Sequence, residues 1–167
     1  MRKLFVFAVL VTSMARGSEP CAGVRCDRDP WEKIQFLMGE WIGEGTGDPG
    51  HGTGEYSFVL DLDKKVLIRK SSADYPAANG RRAFSHHDLM IVYPENESLR
   101  ADYFDNEGHV IHYKVQFPAV DAVEFSNDQY RLTYRKLSDS KVGIKFEIRP
   151  AGKNFATYID ATATKKP

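Results

Sequence analysis

The chain has 167 residues, 42% of them hydrophobic and 28% charged, with 23 Lys+Arg against 23 Asp+Glu. That composition fits one ordinary globular domain. Balanced charge, with no basic run interleaved with aromatics, leaves no electrostatic footprint for nucleic acid or anionic lipid, so neither is expected as a partner.

Arg2 and Lys3 precede the apolar run Leu4 to Val11, after which Thr12, Ser13, Met14 and Ala15 turn small or weakly polar. A basic start, an apolar centre and a small-residue end make a secretory signal, with cleavage after Ala15. The run falls far short of the about 20 apolar residues that span a bilayer. Residues 1–15 are therefore read as a signal peptide, 16–28 as a flexible lead and 29–166 as the domain. The expected product is periplasmic or secreted, with no stable membrane insertion once the leader is removed. Cys21 and Cys26 are candidates for a local disulfide in that oxidising compartment, whose small loop limits the entropic gain. The alternatives are two free thiols or half a metal site, and two cysteines without a companion pair or nearby histidine signal zinc poorly.

Asp29, Pro30 and Glu32 set up a short helix, with an Asp cap, Pro at the first helical position and an acid placed to reach back to the cap. Trp31, Ile34, Phe36 and Leu37 give it an apolar side, and Gly39 ends it. From Glu40 onward the period changes to two and turn residues recur about every ten positions. Tyr56, Phe58 and Leu60 alternate with Ser57, Val59 and Asp61, and Asp63-Lys64 turns the chain into Val66 and Ile68. Asp88 to Tyr93 is a dense apolar strand closed by Pro94, Glu95 and Asn96. Strands follow through Leu99, Ala101 and Tyr103; through Ile111 to Phe117; from Val120 to Phe125; and through Tyr130, Leu132 and Tyr134. Val142 to Ile148 and then Phe155, Thr157, Ile159 and Ala161 complete the series. About ten short antiparallel strands with no long crossover favour up-and-down closure into an all-β barrel over a sandwich. The irregular stretch from Asp74 to Ala83 is expected over one mouth. A barrel of more than about eight strands holds a small ligand unless side chains fill it.

His86-His87-Asp88 opens a strand, so alternation sends the two histidines to opposite faces, with Asp88 on the His86 side. His109 and His112 are likewise parted and add no cluster. Inside a barrel, Tyr103, Asp105, His112 and Tyr113 would meet Arg69, His87 and Tyr158, convergent polar groups over an apolar base of the kind that fixes a ligand's carboxylate or hydroxyl. No G-x-S-x-G, no Cys-His pairing in the domain and no phosphate loop point to an enzyme. Asn96-Glu97-Ser98 is a glycosylation sequon at a predicted turn, meaningful only in a eukaryotic secretory path.

The segment Gly39-Glu40-Trp41-Ile42-Gly43-Glu44-Gly45-Thr46-Gly47 contains G-x-W-x-G-x-G at the entry to the first strand. It resembles the opening of the calycins, whose barrels include the lipocalins and fatty-acid-binding proteins, and more narrowly the nitrobindin-like barrels and a related bacterial family of unknown function. The runs Asp88 to Tyr93, Tyr103 to Ile111 and Phe146 to Pro150 support the likeness, which covers residues 30–166. In it, Gly39, Gly43 and Gly45 let the strand bend and Trp41 plugs the base of the core. The resemblance to nitrobindins implies a haem at one mouth, held by a histidine of the last strand, and nitric oxide or peroxynitrite chemistry. Here the last strand has no histidine and the equivalent place holds Tyr158, whose ordinary pKa of about 10 would need lowering before it ligated iron. The expectation is a barrel without haem that binds a small apolar or amphipathic molecule. A Tyr158-ligated haem protein is the alternative, and a filled barrel acting as an interaction module is a third reading.

Overall fold

A computed structural model describes residues 29–78 and 80–167. The leader, the lead with Cys21 and Cys26, and Asn79 lie outside the described residues. Ten strands follow one another: β1 (Gly39–Gly47), β2 (Gly52–Asp61), β3 (Val66–Tyr75), β4 (Phe84–Glu95), β5 (Ser98–Asp105), β6 (Val110–Ala119), β7 (Ala122–Ser126), β8 (Tyr130–Ser138), β9 (Lys141–Ile148) and β10 (Ala156–Lys165). Each pairs antiparallel with the next, and β10 returns to pair with β1, so the sheet is a closed up-and-down barrel without free edges.

Closure depends on small residues where first and last strands meet. In that register Gly43 faces Ala163 and Gly45 faces Ala161. A Cβ placed on Gly45 would stand 2.5 Å from the Ala161 Cβ and 2.9 Å from the Asp160 carbonyl oxygen, so only glycine permits this approach. On the other side of β1, Gly43 and Gly45 face Gly54 and Gly52 of β2.

The described residues contain no α-helix. The segment expected as a short helix forms a 3₁₀ turn, Glu32–Leu37, preceded by an Asp29 side chain that accepts from the Trp31 amide at 2.9 Å. Trp31, Ile34 and Leu37 are buried. The Trp31 indole donates to the Lys64 carbonyl at 2.9 Å, tying the segment to the β2–β3 turn, and the Trp41 indole donates to the Leu37 carbonyl at 2.8 Å. Both polar indole atoms are thereby satisfied beneath the barrel.

Above this plug the base is solid. Trp41 stacks on Tyr56 with centroids 6.0 Å apart, Tyr56 meets Phe58 and Tyr134 edge-on at 5.9 Å each, and Phe125 meets Tyr134 at 6.1 Å. Such edge and offset pairs add about 0.5–1.5 kcal/mol each beyond the area they bury. Leu67, Met90, Val92, Ala101, Val123 and Val142 complete the buried layer from the surrounding strands.

The turns at the base are tight. Leu62, Asp63 and Lys64 all take positive φ between β2 and β3, as do Asn96 and Glu97 in the two-residue link from β4 to β5. The sequon therefore occupies a hairpin tip. Val120, expected to open a strand, is instead fully exposed in the turn before β7. In β3 the buried row is Leu67 and Arg69, while Val66 and Ile68 take the outward positions between them. The opposite end carries segments 48–51, 76–78 with 80–83, 106–109, 127–129 and 149–155, so the expected irregular stretch lies at a mouth apart from Asp74 and Tyr75, which complete β3.

Candidate functional site

Towards that mouth the side chains no longer meet across the barrel. A cavity of about 330 Å³ opens there. Its upper wall is apolar, built from Ile111, Leu132, Ile144, Phe146 and Ile159, with Tyr75 and Phe84 stacked at 4.8 Å beside the opening. Gly43, Gly45, Gly52, Gly54 and Ala161 face the same space, so the small residues that permit closure also keep one wall shallow.

The floor is polar. Arg69 on β3 and Asp88 on β4 point inward and form an ion pair, with side chains only 9% and 5% exposed. Burial alone would lower the Arg69 pKa, but the Asp88 carboxylate and the surrounding phenols outweigh it and raise it. The guanidinium also lies 5.6 Å from the centre of the Tyr56 ring. Beneath the floor, Tyr56 Oη, Arg69 Nε and Tyr134 Oη are buried without a hydrogen-bond partner, a costly condition in a protein interior. Burial pushes the Tyr134 phenol up to about 12 and raises Tyr56, Tyr103 and Tyr113 as well, so these four hydroxyls keep their protons at neutral pH.

From the floor a hydrogen-bonded chain climbs to the rim. His86 Nε2 lies 2.9 Å from the Tyr103 hydroxyl and its Nδ1 lies 2.9 Å from Glu107. The Tyr103 hydroxyl in turn donates to Asp105 at 3.4 Å. Asp105 accepts from the amides of Glu107 and His109 at 3.0 and 2.9 Å and pairs with the His109 ring at 2.8 Å. Burial alone would raise the Asp105 carboxyl; these donors outweigh it and hold it below its ordinary range. Asp105 thus fastens the β5–β6 turn while its neighbours face the cavity.

Of the residues expected at the site, Arg69, Tyr103, Asp105, Tyr113 and Tyr158 do surround the cavity. His87 and His112 do not. His87 is exposed on the outer face, opposite in phase to His86 and Asp88, and its backbone amide donates to the Asn106 side chain at 3.0 Å. The His112 ring lies outside as well, 78% exposed and 2.6 Å from Asp102. For His87 the strand alternation held but the phase was inverted, whereas His112 was expected inside together with its neighbour Tyr113, and alternation lets only one of the two face inward. Tyr158 reaches the cavity through a register shift between Thr157 and Ile159, which brings adjacent residues 158 and 159 both to the inner side. A Cβ on Gly47 would strike the Tyr158 carbonyl, so glycine at 47 makes room for this bulge.

Among the lining residues that sequence reasoning left out of the site are Asp88, His86, Tyr56 and Ser71. Asp88 and His86 had been placed on one face, and the missing step was the pairing of β4 with β3, which sets Asp88 against Ser71, two residues from Arg69. Among the described residues, no group of three or more His, Cys, Asp or Glu is arranged to hold a metal ion, and no helix is long and apolar enough to cross a membrane.

Among solved structures, the chain is similar to Rv2717c from M. tuberculosis, at 12% identity over 83% of this chain and 98% of that one, with a TM-score of 0.60. It also aligns with the S-type phycobiliprotein lyase CPES from Guillardia theta, at 10% identity over 80% and 90% of the two chains and a TM-score of 0.47. The first of these shows a shared barrel fold. No family model and no curated protein matches the sequence.

Two outcomes test the floor and the rim. Replacing Arg69 by Met or Asp88 by Asn alone leaves a buried charge or its partner unmatched and is expected to cost about 3–5 kcal/mol, whereas the double variant Arg69→Met/Asp88→Leu recovers most of that loss; urea titration of the three variants measures it. Asp105 has a depressed folded pKa, so its contribution is present above the unfolded value of about 3.9 and is lost as pH falls through the folded one. The stability gap between wild type and Asp105→Asn is therefore expected to be full at neutral pH and to shrink below about pH 4, as read by denaturant melts across that range.

Proposed function

We propose that this chain is an exported barrel that binds a small amphipathic molecule in its upper half, polar end down against Arg69 and the tyrosines. The observation that carries the reading is the cavity of about 330 Å³ with apolar walls over a buried, polar floor. Ligand sites of this kind combine a mainly apolar lining with a few fixed polar groups. At roughly 30 Å³ for a water-sized group, the space takes about ten heavy atoms. A ligand of that size gains on the order of 4–8 kcal/mol, corresponding to millimolar to micromolar binding.

Calycin-type ancestry is supported by G-x-W-x-G-x-G at the start of β1, by the tight base beneath Trp41 and by the closed ten-strand order. Export rests on the leader at residues 1–15, and the proposed disulfide between Cys21 and Cys26 rests on that export; sequencing the mature N-terminus tests the first, and mass mapping of the bridge tests the second.

The haem alternative fits the residues poorly. Burial raises the Tyr158 phenol, Asp48 and Glu107 raise it further, and Arg81 only partly offsets them, so the tyrosinate that iron would need is disfavoured. Of the two histidines that line the cavity, His86 has both ring nitrogens engaged and His109 is held through Nδ1 by Asp105. The filled-barrel alternative suits only the lower half of the molecule, where the aromatic side chains touch.

Ile144 lies on the cavity wall above the floor. Substituting Ile144→Trp is expected to occupy the space, weakening binding of a medium-chain alkyl ketone by about tenfold or more while the fold persists. Native mass spectrometry and NMR titration measure the loss, with circular dichroism as the check on folding. Binding unaffected by the filled wall would remove the barrel interior as the site.

A further inference from the structure

Among the described residues, each charged side chain that faces the cavity is ion-paired or hydrogen-bonded to a neighbour. Arg69 is ion-paired with Asp88, Glu107 is hydrogen-bonded to the His86 ring, and Asp105 is hydrogen-bonded to the His109 ring and two backbone amides. Glu44 and Glu55 border the space from outward positions of the alternation, and Glu55 is paired with Lys166 at 2.7 Å. The remaining polar groups at the floor are uncharged hydroxyls, Tyr56, Tyr103, Tyr113 and Ser71.

A carboxylate entering this space would find Arg69, the one Lys or Arg among the described lining residues, already neutralised. It would also add a negative charge to a wall that carries Asp88, Asp105 and Glu107. An ammonium would face the guanidinium of Arg69, while the carboxylates able to receive it are held by other donors. Placing an ion in a poorly hydrated cavity without an opposite charge costs several kcal/mol after relaxation. An uncharged oxygen suffers no such penalty and still accepts from a phenol or from the guanidinium edge.

We infer that the pocket selects uncharged amphipathic molecules, with a carbonyl or hydroxyl head and an apolar body of about ten heavy atoms, and rejects carboxylates and amines of equal size. This rests on the ligand-binding reading above and narrows it to a chemical class. The selectivity comes from Asp88, which cancels Arg69 before any ligand arrives.

The test is a comparison of methyl heptyl ketone, octanoate and nonylamine on the wild-type chain at neutral pH, by NMR titration and native mass spectrometry. The ketone is expected to bind roughly tenfold or more tightly than either ion. Octanoate or the amine binding as well as the ketone overturns the charge-matching inference and leaves the ligand-binding reading standing. Binding of none of the three overturns both. A second measurement uses Asp88→Asn, which frees the Arg69 charge and is expected to shift preference to octanoate by about tenfold; a folded variant that still favours the ketone contradicts the assigned role of Asp88. Should that variant not fold, the wild-type comparison decides the question by itself.

Discussion

Everything in this molecule depends on how closely β1 can approach β10. Ten strands give a sheet wide enough to enclose space, yet the enclosure exists only because the seam pairs glycine with alanine. Larger side chains there would either hold the strands apart or fill the interior. The same positions therefore serve two ends. They remove the exposed edges that would otherwise invite association with other chains, and they leave a shallow wall across the barrel from Ile111 of β6.

The two halves of the barrel follow different rules. At the base, aromatic rings and aliphatic side chains touch across the lumen, and the 3₁₀ segment with its two anchored indoles closes the end. At the mouth, the inner positions hold glycine, alanine and half-buried aromatic or aliphatic groups that stack on neighbours along the wall and leave the lumen open. Arg69 and Asp88 mark the boundary. A charged pair at such a level is costly to bury, and a well-packed apolar pair would often be as stable or more so. Above it lies the cavity, whose floor the pair forms.

Strand number, turn positions and the all-β class were legible in the sequence, because period-two patterns and turn residues are local signals. Asp63-Lys64, Asn96 and Asn106 to Gly108 each fall where the chain reverses, while Pro94 and Glu95, expected to close the strand, remain paired in β4. The phase of a strand is not local. His87 and His86 are equivalent candidates until β4 is set against β3, and only that pairing puts His86 and Asp88 inside. His112 was misplaced for another reason: it was expected inside together with Tyr113, and alternation leaves the inner position to Tyr113 alone. Tyr158 followed from resemblance rather than from pattern, because the bulge beside it breaks alternation and no residue in β10 announces a bulge. Its enabling residue, Gly47, stands on another strand. The rim histidines show a similar limit: His109 does join the wall, but through the turn that Asp105 fastens rather than through regular alternation.

The central claim is that the upper half of the closed barrel encloses unfilled, largely apolar space above Arg69. Xenon enters apolar cavities and is located by its scattering, so a crystal of the chain under xenon pressure tests the claim most directly. The account predicts xenon among Leu132, Ile144, Phe146 and Ile159, above an intact Arg69–Asp88 pair. A xenon-free interior in which those side chains have closed together over the floor would contradict it.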